Sequence, residues 1–223
     1  LDVSNLSSLF SLSCTENLLT SLDVSALLNL QELYCVTNQL LSLTLSNLLS
    51  LETVECQNNQ LTSLILSNLP SLQNLSCNDN QLTNLDLSEL TSLELLYCHS
   101  NQIISLDVYG LTNLFELYCY DNQLTSLFVK NGITETVLTF FGNPALAFIC
   151  ADQDEIASVQ NLVTSYGYSN CLVNSYCSFT PGGDYNTITG IAIFDQNSNG
   201  CDGSDPTFEF LNIGINDGAT TES

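Results

Sequence analysis

Cysteine is the residue type of this chain best suited to chemistry, and six of the ten cysteines recur at one constant interval. These six are Cys14, Cys35, Cys56, Cys77, Cys98 and Cys119. A row of thiols could bind a soft metal ion or carry out redox reactions. Cysteine is also a small apolar side chain, and an unbroken period favours its use as core filling. Because stacked parallel strands give such cysteines parallel side-chain vectors, which suit a disulfide poorly, we expect free, buried thiols.

The other four cysteines, Cys150, Cys171, Cys177 and Cys201, depart from this period. Cys150 and Cys171 flank a predicted helix, and a disulfide between them would attach that helix to the preceding chain. We therefore predict a Cys150–Cys171 bond, and the redox state of Cys177 and Cys201 is left open. Disulfides persist in extracellular proteins, so this prediction goes with an extracellular location.

A short acidic segment near the end of the chain has oxygen-bearing side chains at the spacing of a calcium loop. Positions 1, 3 and 5 of such a loop carry ligands, and position 6 is Gly200. The glutamate that closes the loop at position 12 is replaced by Pro206. The candidate ligands are Asp195, Asn197, Asn199, Asp202 and Asp205. Calcium is the one cofactor that the sequence predicts, and the alternative is an acidic turn in a β-hairpin.

Composition argues against catalysis and against two classes of partner. His99 is the only histidine and no Gly-x-Ser-x-Gly motif occurs, so we predict that the chain is not an enzyme. The chain has 24 acidic residues, one lysine and no arginine, which gives a formal charge of −23. Nucleic acids and anionic membranes need many Lys and Arg contacts, so both are disfavoured as partners. The chain contains no run of about 18 apolar residues, so the sequence does not predict membrane insertion.

The six periodic cysteines belong to a repeat that fills the first two thirds of the chain. Its unit reads L-x-x-L-x-C-x-x-N-Q-L-T-S-L, and asparagines keep the same step from Asn17 to Asn122. A fixed 21-residue period indicates a solenoid with little helix. The alternation in Leu33-Tyr34-Cys35 predicts a parallel strand with Tyr34 facing outward. We expect the asparagine amides to bond adjacent coils, and residues 82–87 to form a second short strand.

The repeat is followed by a predicted cap. A degenerate seventh unit keeps Asn143, and we expect its large aromatic residues, Phe140, Phe141 and Phe148, to fill the exposed end of the last coil. Residues 152–166 are predicted to form an amphipathic helix that ends at Gly167. Its first turn would contain Asp152, Asp154 and Glu155, where the helix dipole favours acidic side chains.

Residues 179–223 have a different composition, which begins with the linker signal Pro181-Gly182-Gly183. Two alternating runs, 187–194 and 208–215, predict β-strands. About 40 residues cannot complete a sandwich, so we expect only the start of a β-sandwich-like domain. The predicted domains are therefore a solenoid of about seven coils (1–150), a capping helix and segment (151–178), and an incomplete β domain (179–223).

The outward side of the predicted sheet is the best candidate for a binding surface. Tyrosines beside carboxylates suit protein or glycan recognition, because rigid aromatic side chains give contact area at a low entropic cost. The predicted ligand-binding residues are Tyr34, Glu55, Tyr97, His99, Glu116, Tyr118 and Tyr120. The alternative is an ordinary solvated β-face with strand-favouring tyrosines.

The repeat resembles leucine-rich repeats over residues 1 to about 150. Its pattern, and the I-C-A-D-x-D-E-I run that follows it, are similar to secreted flavobacterial proteins of the Bacteroidota. The segment around Asp195 looks like the calcium-bound B-type repeats of bacterial surface adhesins. The resemblance implies a mainly β leucine-rich-repeat solenoid, export by the type IX system, and a secreted or cell-surface location. The near absence of Lys and Arg departs from those relatives, which often carry lysine in their loops.

Two functions of different classes fit these observations. The first is an extracellular recognition or adhesion module that binds a protein or glycan through the solenoid β-face, without catalysis. The second is a structural subunit of an extracellular fibre or surface layer, in which copies of the chain assemble through solenoid ends and β-strand addition. A charge of −23 opposes self-association, so we favour recognition.

Overall fold

The 21-residue unit folds into one coil of a solenoid with about eight turns. This confirms the predicted mainly β solenoid. The structure is a computed structural model, which describes residues 1–177 and the backbone of residues 215–216 and 221–222. One strand from each coil enters a seven-stranded parallel sheet, the first sheet, in which paired residues are one repeat apart. Its strands are β1 (Ser11–Ser13), β2 (Glu32–Tyr34), β4 (Thr53–Glu55), β6 (Asn74–Ser76), β7 (Leu95–Tyr97), β9 (Glu116–Tyr118) and β11 (Val137–Thr139).

Shorter parallel sheets use the second strand of the coils. β3 (Ser42–Ser46) pairs with β5 (Ser63–Ser67). Four more strands are β8 (Ser105–Asp107), β10 (Ser126–Phe128), β12 (Phe148–Cys150) and β13 (Leu172–Asn174). They pair in the order β13-β12-β10-β8.

The strand predicted over residues 82–87 is wrong, because the structure has no strand there. Thr44 and Ile65 occupy, in the two preceding coils, the position that Asp86 has in this one, and both are β-branched residues within strands. Asp86 instead accepts hydrogen bonds from the Ser88 backbone N–H (3.0 Å) and hydroxyl (2.7 Å). Asp107, one repeat later, accepts the Tyr109 N–H in the same way at 2.8 Å and still lies in β8, so this turn alone does not remove the strand.

The core is a column of leucines and cysteines between the two sides of each coil. In the second coil Leu33 and Cys35 have no exposed surface, and Tyr34 between them is half-buried on the outside. All six periodic cysteines are buried and free, as the sequence predicts. Burial in apolar surroundings raises the pKa of their thiols, so they remain protonated and act as small apolar side chains.

The asparagine ladder joins each coil to its neighbours, which confirms that prediction. Asn80 Nδ2 donates to three carbonyl oxygens, of Cys56, Cys77 and Asn78, each at 3.1 Å. Asn80 Oδ1 accepts the Leu61 backbone N–H at 2.9 Å. One side chain therefore satisfies polar backbone groups of two coils.

The residue before each ladder asparagine has a left-handed backbone conformation. The φ angles lie between 51° and 57° at Glu16, Thr37, Asn58, Asp79, Ser100 and Asp121. Such angles are unfavourable for residues other than glycine, and the asparagine hydrogen bonds offset this cost. In the seventh unit the position is Gly142, with φ 68°, where a Cβ atom would collide with the Asp121 carboxylate.

The C-terminal cap replaces the next coil of the solenoid. The helix α1 (Ile156–Ser165) buries Val159 and Val163 against the core. No helix within the described residues is long and apolar enough to cross a membrane. Tyr168 Oη accepts the Asn143 backbone N–H at 3.0 Å and donates to the Phe140 carbonyl at 2.8 Å. In the ladder, these backbone groups bond the next coil, so the Tyr168 hydroxyl ends the ladder without leaving them unpaired.

Two details of the predicted cap are wrong. The helix begins at Ile156 and its first turn contains no acidic residue. Asp152 instead accepts the backbone N–H groups of Asn131 (3.1 Å) and Gly132 (2.7 Å). Gly167, with φ 79°, follows the helix and donates its N–H to the Thr164 carbonyl, which confirms the predicted stop.

The predicted Cys150–Cys171 disulfide is also wrong, because Cys150 is bonded to Cys177 with a Cα–Cα distance of 5.2 Å. β13 pairs Asn174 with Cys150 and ends there, and the Tyr176 backbone N–H then donates to Asn174 Oδ1 at 2.9 Å, in a turn that returns Cys177 toward Cys150. Cys171 lies three residues back along the extended chain, about 10 Å from Asn174 at roughly 3.3 Å per residue, which is too far for a disulfide. It is a free, buried thiol. Lys130 Nζ also holds this segment, by donating to the Ser175 carbonyl at 2.9 Å.

A buried pair of carboxyl groups lies beneath the cap. Glu135 is 8% exposed and Glu155 is 4% exposed, and Asn131 Nδ2 donates to Glu135 Oε1 at 2.9 Å. The two carboxyl groups interact directly, in surroundings that also include Asp152 and Asp154. Burial, and then repulsion by Glu135, raises the pKa of Glu155 to about 8; burial also raises the pKa of Glu135.

This pair predicts a cap that is less stable in alkaline solution. The folded chain retains a proton on Glu155 that the unfolded chain has released, so the free energy of unfolding falls as the pH rises from about 5 to about 8. The variant Glu155→Gln keeps a donor toward Glu135 without the charge, and we expect a smaller loss across this range. Urea unfolding at several pH values measures the difference, with Glu52→Gln on the exposed surface as the control. Equal pH dependence in all three proteins would contradict the assignment.

The chain divides into two compact units, of which the first covers Leu1–Pro181 and the second covers Gly182–Ser223. In the second unit β14 (Ile215–Asn216) pairs with β15 (Thr221–Glu222) in antiparallel orientation. The predicted strand 187–194, residues 208–214 of the other predicted strand, and the predicted calcium loop lie outside the described residues.

Candidate functional site

The register of the first sheet aligns outward side chains in rows across the strands. The middle row runs through Ser13, Tyr34, Glu55, Ser76, Tyr97, Tyr118 and Thr139, in adjacent pairs. A neighbouring row contains the residues just after the cysteines, including His99 and Tyr120, and continues to Phe141, which follows Phe140 at the cysteine position of the seventh unit. Parallel strands are about 4.8 Å apart, so flat side chains in one row are close enough to stack.

Two tyrosines of the middle row stack and share one acceptor. The rings of Tyr97 and Tyr118 have centroids 4.5 Å apart and are inclined by 8°. Both hydroxyl groups donate to Glu116 Oε2, at 3.2 Å from Tyr97 and 3.3 Å from Tyr118. The carboxylate fixes both rings, so the arrangement exists before any partner binds.

The neighbouring row forms a longer stack. The His99 and Tyr120 centroids are 4.2 Å apart, and the Tyr120 and Phe141 centroids are 4.5 Å apart, with rings inclined by 8° and 11°. Phe141 also meets the edge of Tyr166 of the cap at 5.7 Å. We call the two stacks together with Glu116 the aromatic surface; it consists of Tyr97, His99, Glu116, Tyr118, Tyr120 and Phe141.

The rings of the aromatic surface are uncharged at neutral pH. Burial and the hydrogen bond to Glu116 raise the pKa of Tyr97 to about 12, so its hydroxyl remains a donor. Desolvation lowers the pKa of His99 and outweighs the opposite effect of Asp79 and Asp121, so the imidazole is neutral at pH 7. The surface therefore presents neutral aromatic rings beside carboxylates.

All seven predicted ligand-binding residues lie on the outward side of the first sheet. Five of them, Tyr97, His99, Glu116, Tyr118 and Tyr120, form the aromatic surface. Tyr34 and Glu55 are neighbours on β2 and β4, and Ser76 separates Glu55 from Tyr97.

Sequence reasoning missed Phe141, which it assigned to the core of the cap. Phe140 and Phe148 do fill the core, but Phe141 is 39% exposed and stacks on Tyr120. Its place one full repeat after Tyr120 is the signal that could have identified it.

A metal centre is the other kind of site that the sequence predicts. Residues 1–177 contain no group of three or more His, Cys, Asp or Glu side chains that could hold a metal ion. The five predicted calcium ligands, Asp195, Asn197, Asn199, Asp202 and Asp205, lie outside the described residues.

Comparison with known proteins agrees with this fold. A family model for two copies of leucine-rich repeats matches residues 70–112. The structure is similar to that of the internalin InlF from Listeria monocytogenes, with a TM-score of 0.52 and 24% identity over 79% of this chain and 50% of that one. The solenoid has a leucine-rich repeat fold.

A second solved structure also matches this leucine-rich repeat solenoid. It is the functional domain of InlJ from Listeria monocytogenes, described as including a cysteine ladder. Identity is 28% over 68% of this chain and 41% of that one, with a TM-score of 0.46. The chain thus spans half or less of the length of either internalin structure. No curated protein sequence matches the chain.

Proposed function

We propose that this leucine-rich repeat solenoid is an extracellular recognition module that binds a protein through the aromatic surface. The observation that carries the proposal is the pair of aromatic stacks, one of them fixed by Glu116, in which five half-exposed rings lie side by side. Fixed aromatic side chains dominate the energy of protein interfaces because they bury much apolar area and lose little entropy.

The location of the proposed module is the cell surface or the extracellular medium. The Cys150–Cys177 disulfide supports this part of the proposal, since such bonds persist in oxidising compartments. The formal charge of −23 of the whole chain favours partners that carry positive charge.

The experiment is a selection of binding peptides from a displayed random library, followed by affinity measurements. We expect that Tyr97→Ala and Tyr120→Ala each weaken the selected binders by at least about tenfold, as for hot-spot tyrosines. Tyr97→Phe keeps the ring and loses only the hydroxyl, so its effect should be smaller.

The matched control is Ile65→Ala, which removes an exposed side chain from β5 on the other side of the coils. Melting temperatures of all variants establish that each one folds. Binders whose affinity is unchanged by both tyrosine variants but is lost with Ile65→Ala would contradict the proposed site.

A further inference from the structure

The stack in the middle row ends abruptly at Tyr97. One face of the Tyr97 ring lies against Tyr118, and the opposite face is directed along the row toward β6. The next residue in that row is Ser76, whose side chain is too short to cover a ring. Within residues 1–177 no aromatic ring stacks on this face of Tyr97. We call the space above Ser76 the row gap.

The other wall of the row gap is Glu55. It precedes Ser76 in the same row, so Glu55 and Tyr97 are separated by two strand spacings, about 10 Å between their backbones. A planar group that stacks on Tyr97 therefore lies between an aromatic face and a carboxylate. Gln57 Nε2, two residues further along the same coil, donates to Glu55 Oε2 at 3.4 Å.

The chemistry of these walls selects a planar cation. A guanidinium group stacks on tyrosine faces and donates paired hydrogen bonds to a carboxylate, whereas the ammonium group of lysine is compact and strongly hydrated. The chain cannot fill the gap with a cation of its own. It has no arginine, and its single lysine, Lys130, donates to Ser175 at the cap.

We infer that the row gap binds an arginine side chain of the partner, stacked on Tyr97 and paired with Glu55. The inference rests on the proposed function and gives the partner a chemical character, namely an arginine-bearing segment. The hydroxyl bond from Tyr97 to Glu116 keeps the ring upright, so the gap exists before the arginine enters.

The test uses a Gly/Ser peptide with three spaced arginines, and matched peptides with lysine or uncharged citrulline instead. Titration calorimetry at about 150 mM salt suppresses long-range attraction, so contacts at the site dominate. We expect the arginine peptide to bind at least about threefold more tightly than the lysine peptide, and the citrulline peptide to bind most weakly.

Two variants place the binding in the row gap. Ser76→Leu fills the space and Glu55→Gln removes the charge, and each should weaken the arginine peptide at least about threefold. Ser13→Leu, in the same row at the far edge of the sheet, is the control and should leave binding unchanged. Equal affinity of the lysine and arginine peptides would overturn the inference, and so would an arginine peptide whose affinity is unchanged by Ser76→Leu.

This failure is distinguishable from failure of the proposed function. Library binders that depend on Tyr97 but carry no arginine would overturn the row gap and leave the protein-binding role intact. Binders that are unaffected by both Tyr97→Ala and Tyr120→Ala and are lost with Ile65→Ala would overturn both.

Discussion

Replacing Asn80 by alanine is expected to lower the free energy of unfolding by on the order of 4 kcal/mol. The side chain makes four hydrogen bonds within two adjacent coils, and alanine would leave the buried Leu61 N–H without its partner, at a cost of about 1–3 kcal/mol. The Cys56 and Cys77 carbonyls would keep the Asn59 and Asn101 donors, so the three amide bonds from Asn80 that are lost contribute about 0.5–1.5 kcal/mol each. Urea unfolding, followed by far-UV circular dichroism, measures the change.

Asn17→Ala is the matched control, because Asn17 occupies the same position of the first repeat. Its amide donates only to carbonyls of its own coil, those of Cys14 and Thr15, and the side chain is exposed. We expect a loss of about 1 kcal/mol or less there. Equal losses at Asn17 and Asn80 would show that the ladder does not hold neighbouring coils together.

Removing the disulfide with Cys150→Ala and Cys177→Ala together is expected to lower the free energy of unfolding by about 3 kcal/mol. The bond closes a loop of 27 residues that contains α1 and β13, so its loss increases the entropy of the unfolded chain. Urea unfolding under non-reducing conditions measures the effect. Cys171→Ala is the control, since Cys171 is buried but forms no disulfide.

Peptide mapping by mass spectrometry without reduction checks the pairing itself. The expected product is a peptide pair that contains Cys150 and Cys177, with Cys171 recovered as a free thiol. A linked peptide that contains Cys150 and Cys171 would contradict the structure and restore the pairing that the sequence suggests.

The solenoid was predictable because one repeating pattern fixes both the inward and the outward side chains of every coil. An error of register would have turned Leu33 and Cys35 outward, so the pattern alone determined which tyrosines share a face. The missing strand over 82–87 was not predictable from the period, because Asp86 and Asp107 occupy the same position of the repeat and make the same local turn, yet only Asp107 lies in a strand.

The cap was less predictable because it occurs once and follows no period. The partner of Cys150 depends on the register between β12 and β13, which sequence spacing does not contain. The burial of Glu155 likewise depends on Glu135, which lies before β11 and so is distant from α1 in the sequence. Phe141 looked like core filling because the cap requires large aromatic residues, and two of its neighbours do serve that purpose.

The solenoid explains why the aromatic surface is rigid. The Asn101 and Asn122 side chains of the ladder bond the backbone at the ends of β7 and β9, where Tyr97 and Tyr118 lie. Rings held in this way lose little freedom on binding, which is the advantage of a preformed surface.

Hydroxyl-radical footprinting of the solenoid, alone and with a selected protein or peptide binder, tests the central claim most directly. The proposed site predicts that Tyr97, Tyr118 and Tyr120 become protected in the complex, while Ile65 on the other side of the coils reacts as before. Protection of Ile65 with no change at the three tyrosines would contradict it, because the partner would then occupy the opposite side of the solenoid.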